Sequence, residues 1–305
     1  MNIEFIADLI RAALIAATPI ALGSFGGLFS ERSGIVNIAI EGMMLTSAMV
    51  GAFVAASTGS LFLGLVLGLT SAGLMAALHA LVSIRFKTDQ IISGTVINFL
   101  ALGLTGHIYQ VYLADLPDNW PGFSTFPQIP IPVLSEIPFI GKAFFNHQPL
   151  VYITIILAIV IHFVLFNTPW GLRMRAVGEH PKAADTVGIN VYFTRYANVI
   201  IGGLLAGLGG IWLTLEFVGQ FSINMTAGRG FIALAALIFG RWTPFGAYGA
   251  ALLFGFFGAV ALRGQSTSGA AAELWQILPY ALTIVVAAIS RPIPPAAVGK
   301  PYEVE

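Results

Sequence analysis

Residues 150–166 read Leu150-Val151-Tyr152-Ile153-Thr154-Ile155-Ile156-Leu157-Ala158-Ile159-Val160-Ile161-His162-Phe163-Val164-Leu165-Phe166. The stretch carries no Asp, Glu, Lys or Arg. As a helix it would extend about 25 Å at a rise of about 1.5 Å per residue. That approaches the roughly 30 Å hydrocarbon thickness of a bilayer. The run is flanked by a proline-rich segment before it and a basic segment after it. This is the pattern of a membrane span between two loops of different character.

Eight further apolar runs surround it. They cover about residues 6–25, 35–56, 61–84, 91–113, 196–215, 231–239, 245–262 and 274–289. The chain of 305 residues is 57% hydrophobic and 9% charged. Soluble domains carry about 25% charged residues, so this chain cannot cover a water-facing surface. Its 34 glycines show no period of three, which sets aside a collagen-like reading. The expected fold is all-α: a polytopic membrane protein of about eight to ten transmembrane helices. Residues 231–239 are too few to cross alone. No basic n-region precedes the first run, so a cleaved leader is not expected.

Fourteen Lys+Arg balance fourteen Asp+Glu, which gives no sign of a nucleic-acid partner. The loops at 85–87 and 167–195 hold Arg85, Lys87, Arg173, Arg175, Lys182 and Arg195. With the 167–195 loop inside, alternation also places Arg32, Arg241, Arg291 and Lys300 inside, against Lys142, Arg229 and Arg263 outside. The positive-inside rule therefore predicts an outside N-terminus and a cytoplasmic C-terminus. Residues 114–149 become an extracytoplasmic loop, an ordered cap or extended loop rather than a span. The segments 33–39 and 229–235 share a small-residue pattern and would enter from opposite sides. They are a candidate inverted internal repeat.

Enzyme chemistry finds no footing. None of the four lysines has Walker A spacing, and neither H-E-x-x-H nor G-x-S-x-G occurs. Cysteine is absent, so neither a disulfide framework nor a thiolate metal site can form. No catalytic residue, metal site or bound cofactor is expected.

Within 169–195 the spacing predicts a short helix over 181–187. Pro181 suits the first helical position, and Gly188 suits a left-handed cap. Ala183 and Ala184 are small enough for a partner to approach closely. The helix reads either as a knob for a groove in a soluble partner or as a linker on the membrane surface.

The loop Gly178-Glu179-His180-Pro181-Lys182-Ala183-Ala184 resembles the coupling-helix segment of permease subunits in bacterial ABC importers, of the ribose/branched-chain amino acid permease type. Three other stretches are similar to that family's nucleoside and simple-sugar branch: residues 30–44, 87–98 and 227–240. The resemblance covers about residues 5–290. It implies a single transmembrane permease domain over 1–290, with a cytoplasmic coupling segment at about 169–195 and a cytoplasmic tail at 291–305. It implies import of a nucleoside or simple sugar across the plasma membrane, ATP being used by a partner subunit. The implied partners are a cytoplasmic ATP-binding subunit, a second homologous permease and an extracytoplasmic solute-binding lipoprotein. The coupling residues would be Gly178, Glu179, Pro181, Ala183, Ala184 and Gly188. An autonomous secondary transporter is the alternative. It would carry its own coupling site, yet Glu41 is the one clearly mid-span carboxylate.

Asn37 and Glu41, four apart, are expected on one face of the second span, with Asn98 one turn inside the fourth. These three are the candidate translocation-path residues. The competing reading is interhelical hydrogen bonding. Glu31 and Arg32 are read as an ion pair, as are Asp8 and Arg11. Glu216 and Gln220 are read as a solvated rim. The glycines at 202, 203, 207, 209 and 210, and at 246, 249, 255 and 258, suit close helix packing.

Overall fold

The computed structural model describes residues 3–112, 123–267, several positions between 275 and 288, and 293–303. Among these, seven helices are long and apolar enough to cross a membrane. They are α1 (Ile3–Arg32), α2 (Ile40–Thr58), α3 (Leu61–Ala80), α4 (Gln90–Tyr112), α6 (Pro149–Asn167), α9 (Val191–Ile211) and α11 (Pro244–Thr267). Both α3 and α9 continue as π-helix, over Leu81–Arg85 and Trp212–Val218. The short helices are α5 (Ile140–Phe144), α7 (Pro169–Glu179), α8 (Pro181–Thr186) and α10 (Arg229–Phe239). The ninth apolar run, 274–289, lies largely outside the described residues, as does Arg291.

Polar residues set the helix ends. Asp89 Oδ1 accepts the N–H groups of Ile91 and Ile92 at the start of α4. Ser60 caps α3 through Leu63, and Asn190 caps α9 through Phe193. Gly59 ends α2 at φ +69°, a left-handed conformation that a Cβ would oppose.

Glycine holds α1, α2, α3 and α9 together at backbone distance. A Cβ on Gly26 would strike the Gly202 carbonyl, one on Gly203 would strike Ala76, and one on Gly210 the Met44 carbonyl. Helices in lipid lack a hydrophobic drive toward one another and associate through such close packing.

Residues 123–149 form a folded cap, not a span. Strands β1 (Ile129–Pro130) and β2 (Asn146–His147) pair antiparallel with α5 between them. Phe126 N–H donates to Leu215 O, and Lys142 pairs with Asp8 at 2.8 Å. The cap therefore sits at the end of the bundle where α1 begins and α9 finishes. The other end gathers the C-terminus of α1, the α3–α4 link, α7, α8, the start of α9 and residues 293–303.

Candidate translocation path and coupling segment

The second span starts later than its hydropathy suggests. Residues 33–39 are not helical, and α2 begins at Ile40. Asn37 therefore precedes the helix instead of sharing a helical face with Glu41. Gly34, at φ +94°, turns the chain out of α1. Irregular backbone inside a membrane protein must find partners within the protein. Here they are side chains: Gln90 Oε1 accepts Val36 N–H at 2.7 Å, the His79 ring meets Val36 O at 2.9 Å, and Asn98 donates to Ile38 O at 2.9 Å.

Helix α10 enters the same region from the opposite direction. Gly23 faces Ala233 and Gly27 faces Leu237, so α10 runs alongside the second half of α1. Its 11 residues span about 16 Å, roughly half a bilayer core. The N-terminus of α10 lies level with the middle of α1. Segments 33–39 and 229–235 come together here, but the first is irregular and the second helical. Their shared small-residue pattern is not a shared local conformation.

Glu41 joins the two half-crossing elements. Its Oε1 accepts Gly228 N–H at 2.8 Å and its Oε2 accepts Gly230 N–H at 2.6 Å. A carboxylate at a helix N-terminus satisfies orphan donors and meets the positive end of the helix dipole. Gly230 is required by contact, since a Cβ there would lie 2.6 Å from the Glu41 backbone. Asn98 is equally committed: its Oδ1 accepts Gly42 N–H at 2.8 Å, capping α2 from α4. Asn37 donates to Ser30 Oγ, while its buried Oδ1 has no partner. Glu41 and Asn98 share a niche of about 220 Å³ with Asn224, Phe99 and Phe231. Asn37 does not line it. The two phenylalanines are 69% and 49% exposed. Sequence reasoning missed Asn224 and Phe99, which carry no motif of their own, and did not single out Phe231 within the 227–240 stretch.

Three polar pairings differ from expectation. Glu31 and Arg32 do not pair with each other; both hold Trp242. The indole N–H donates to Glu31 at 2.5 Å, and Arg32 Nε donates to the Trp242 carbonyl at 2.8 Å. Asp8 pairs with Lys142, and Arg11 donates to Gln128, so the cap separates that pair too. Glu216 is not a solvated rim residue: it is 3% exposed, and both its oxygens accept Leu150 N–H at the start of α6. Gln220 is exposed, as expected of a rim.

At the basic end, α8 forms over Pro181–Thr186, and Gly188 follows at φ +83° with open space around it. The preceding helix, α7, is capped by Thr168. Gly178 packs where a Cβ would strike the Arg32 carbonyl, binding α7 to the end of α1. The two alanines of α8 face opposite ways. Ala183 is exposed, whereas Ala184 is buried against Val177, Val191 and Tyr302. The outward face of α8 is Lys182, Ala183, Asp185, Thr186 and then Val187, with Pro181 half-buried. Glu179 is exposed and accepts Ala296 N–H.

Residues 9–287 match the family described as branched-chain amino acid transport system, permease component. The chain belongs to this permease family. The permease is 42% identical to the guanosine ABC transporter permease protein NupQ of Bacillus subtilis, over 98% of each chain. It is 40% identical to the nucleoside ABC transporter permease protein NupC of Lactococcus lactis, over 95% of this chain and 94% of that one. It is 38% identical to the putative glucose ABC transporter permease protein TsgC13 of Haloferax volcanii, over 87% and 80%. No solved structure matches it. The permease is thus a membrane-embedded subunit of a transport system, which replaces the reading as an autonomous secondary transporter.

Proposed function

We propose that the permease imports nucleosides across the plasma membrane as one of two homologous permease subunits. A cytoplasmic subunit hydrolyses the ATP, and an extracytoplasmic lipoprotein delivers the solute. The observation that carries this reading is near full-length similarity to a guanosine and a nucleoside permease, at 42% and 40% identity. The basic end is cytoplasmic, with the C-terminus on that side and the 114–149 loop outside, in keeping with the positive-inside rule. There α8 and the residues around it, Gly178 to Gly188, dock on the ATP-hydrolysing subunit through Lys182, Ala183 and Val187.

The niche at Glu41 and Asn98 is the candidate wall of the path. Phe99 and Phe231 offer ring faces to a base, and the exposed amide of Asn224 offers both a donor and an acceptor to base edges or ribose hydroxyls. Glu41 and Asn98 shape this wall and hold its helix ends. A simple sugar is the second reading, favoured by the similarity to the glucose permease. Vesicles carrying the permease pair, its ATPase and its binding protein should take up labelled guanosine in an ATP-dependent way. Glucose uptake without guanosine uptake would select the sugar reading. Uptake without ATP would reject both.

A further inference from the structure

The last described segment, residues 293–303, lies across the basic end and touches almost every element there. Ala297 N–H donates to Gly178 O at the end of α7, and Gly299 N–H donates to Gly34 O just beyond α1. Arg195, 1% exposed in α9, donates to Lys300 O, and the Tyr192 hydroxyl donates to Tyr302 O. Lys87, in the link before α4, pairs with Glu303 at 2.7 Å.

Tyr302 makes the contact with α8. Its ring packs in a buried cluster with Ala184, Val177 and Val191, and stands edge-on to Tyr192 at 5.5 Å between centroids. Its hydroxyl faces the Asp185 carboxylate, and burial, then this neighbouring carboxylate, push the phenol up to about 12. Apart from Tyr302, α8 is held by the packing of Ala184 on Val177 of α7 and Val191 of α9, and it has six residues and no side-chain N-terminal cap. Without Tyr302, α8 would lose the ring cover on Ala184 and the hydroxyl that faces Asp185.

Resting on the reading that α8 meets the ATP-hydrolysing subunit, we propose that residues 293–303 are a positioning strap. Tyr302 fixes α8 through Ala184 and Asp185, and the strap passes its displacement to Gly34 and Arg195. Gly34 opens the irregular segment 33–39, whose far end Asn98 and Glu41 hold beside the niche. The strap thus joins the docking helix to the path wall by bonds outside the α7–α8 unit. A segment with no such task has no need of six bonds to α7, α9, the turn after α1 and the α3–α4 link, besides the packing of Tyr302 on α8.

The test uses the complete transporter in proteoliposomes and reads solute imported per ATP hydrolysed. That ratio is insensitive to the amount of folded protein. Tyr302→Phe keeps the ring and removes the hydroxyl that faces Asp185, and should lower the ratio about tenfold, the scale of one polar contact with a charged group. Tyr302→Ala should lower it further, with the ATPase still co-purifying. If Tyr302→Ala fails to fold, Tyr302→Phe and Asp185→Asn decide, and each alone should lower the ratio as much as both together. An unchanged ratio in Tyr302→Phe and in Asp185→Asn overturns the strap. The docking reading has a separate arm: Ala183→Cys, introduced into a chain without cysteine, should crosslink to the ATPase. Absence of that crosslink overturns the docking reading and this proposal with it. A crosslink with an unchanged ratio overturns the strap alone.

Discussion

The Glu41 carboxylate lies 2.6 Å from the Gly230 backbone nitrogen and accepts its N–H. With Gly228 at 2.8 Å, it satisfies two donors at the start of α10 from the first turn of α2. Hydrogen bonds to a charged group are worth about 1.5–3 kcal/mol each. Glu41→Gln keeps one acceptor oxygen and replaces the other with an amide NH2, which donates and cannot accept. Thermal stability in detergent and uptake should therefore fall together. Uptake lost at unchanged stability would instead make Glu41 a solute-contacting residue.

The two alanines of α8 separate docking from folding. Ala183→Glu, on the exposed face, should leave the amount of folded permease unchanged and prevent recovery of the ATPase with it. Ala184→Glu puts a larger, charged side chain into the cluster around Tyr302. Overpacking alone costs about 1–3 kcal/mol, so the amount of folded permease should drop too. Equal behaviour of the two variants in a membrane-fraction assay would contradict this division.

Trp242 should be intolerant of losing its ring N–H. In Trp242→Phe the buried Glu31 carboxylate loses the indole N–H that donates to it, at a cost of about 1–3 kcal/mol or more. Replacing Glu31 with Met in the same chain should restore part of the loss. A double-mutant cycle in thermal stability that is additive would show that the pair does not interact.

Single cysteines report sidedness cleanly in this chain. Val187→Cys and Gln128→Cys should react with a membrane-impermeant maleimide from opposite sides of sealed vesicles. Labelling of both from one side would reverse the proposed topology.

Acid should loosen the cap through His147. This ring is buried, and its Nε2 meets Ala143 O at 2.9 Å. Burial holds its pKa below the usual histidine value, outweighing that backbone bond. The unfolded state then binds more protons than the folded one as pH falls. The contribution is fully present above the ordinary pKa of about 6.5 and is lost as pH drops through the lower folded value. Hydrogen exchange over residues 123–149 should accelerate in that window, and less so in His147→Gln.

The spans were legible because an apolar run of span length has few alternatives. Eight of the nine runs are helices, seven of them long enough to span, usually within a few residues of their hydropathic limits; the ninth lies largely outside the described residues. The start of α2 was not legible, because Ile35, Val36 and Ile38 suit a helix as well as an irregular chain. What decides between them is Gln90, His79 and Asn98, which are more than 40 residues away. Glu31 and Arg32 looked like each other's partners for the same reason, with Trp242 some 210 residues distant. The helix α8 and its Gly188 cap were readable since both signals are local. Which face of α8 is buried was not, for it depends on Tyr302. Residues 293–303, with Pro294 and Pro295 near the start and Lys300 near the end, read as a plain tail. Their attachments are mostly backbone groups, which leave no trace in side-chain pattern.

The glycine seam between α1, α2, α3 and α9 also governs where this protein tolerates change. Where carbonyl oxygens of one helix touch the α-carbons of the next, even a methyl group has nowhere to go, and no rotamer can relieve it. The seam should move as a single plate, which leaves the irregular stretches 33–39 and 219–228 beside it as candidate hinges. Substitutions on the plate should be eliminated at the level of folding. Substitutions in those two hinges should yield proteins that fold and transport at an altered rate.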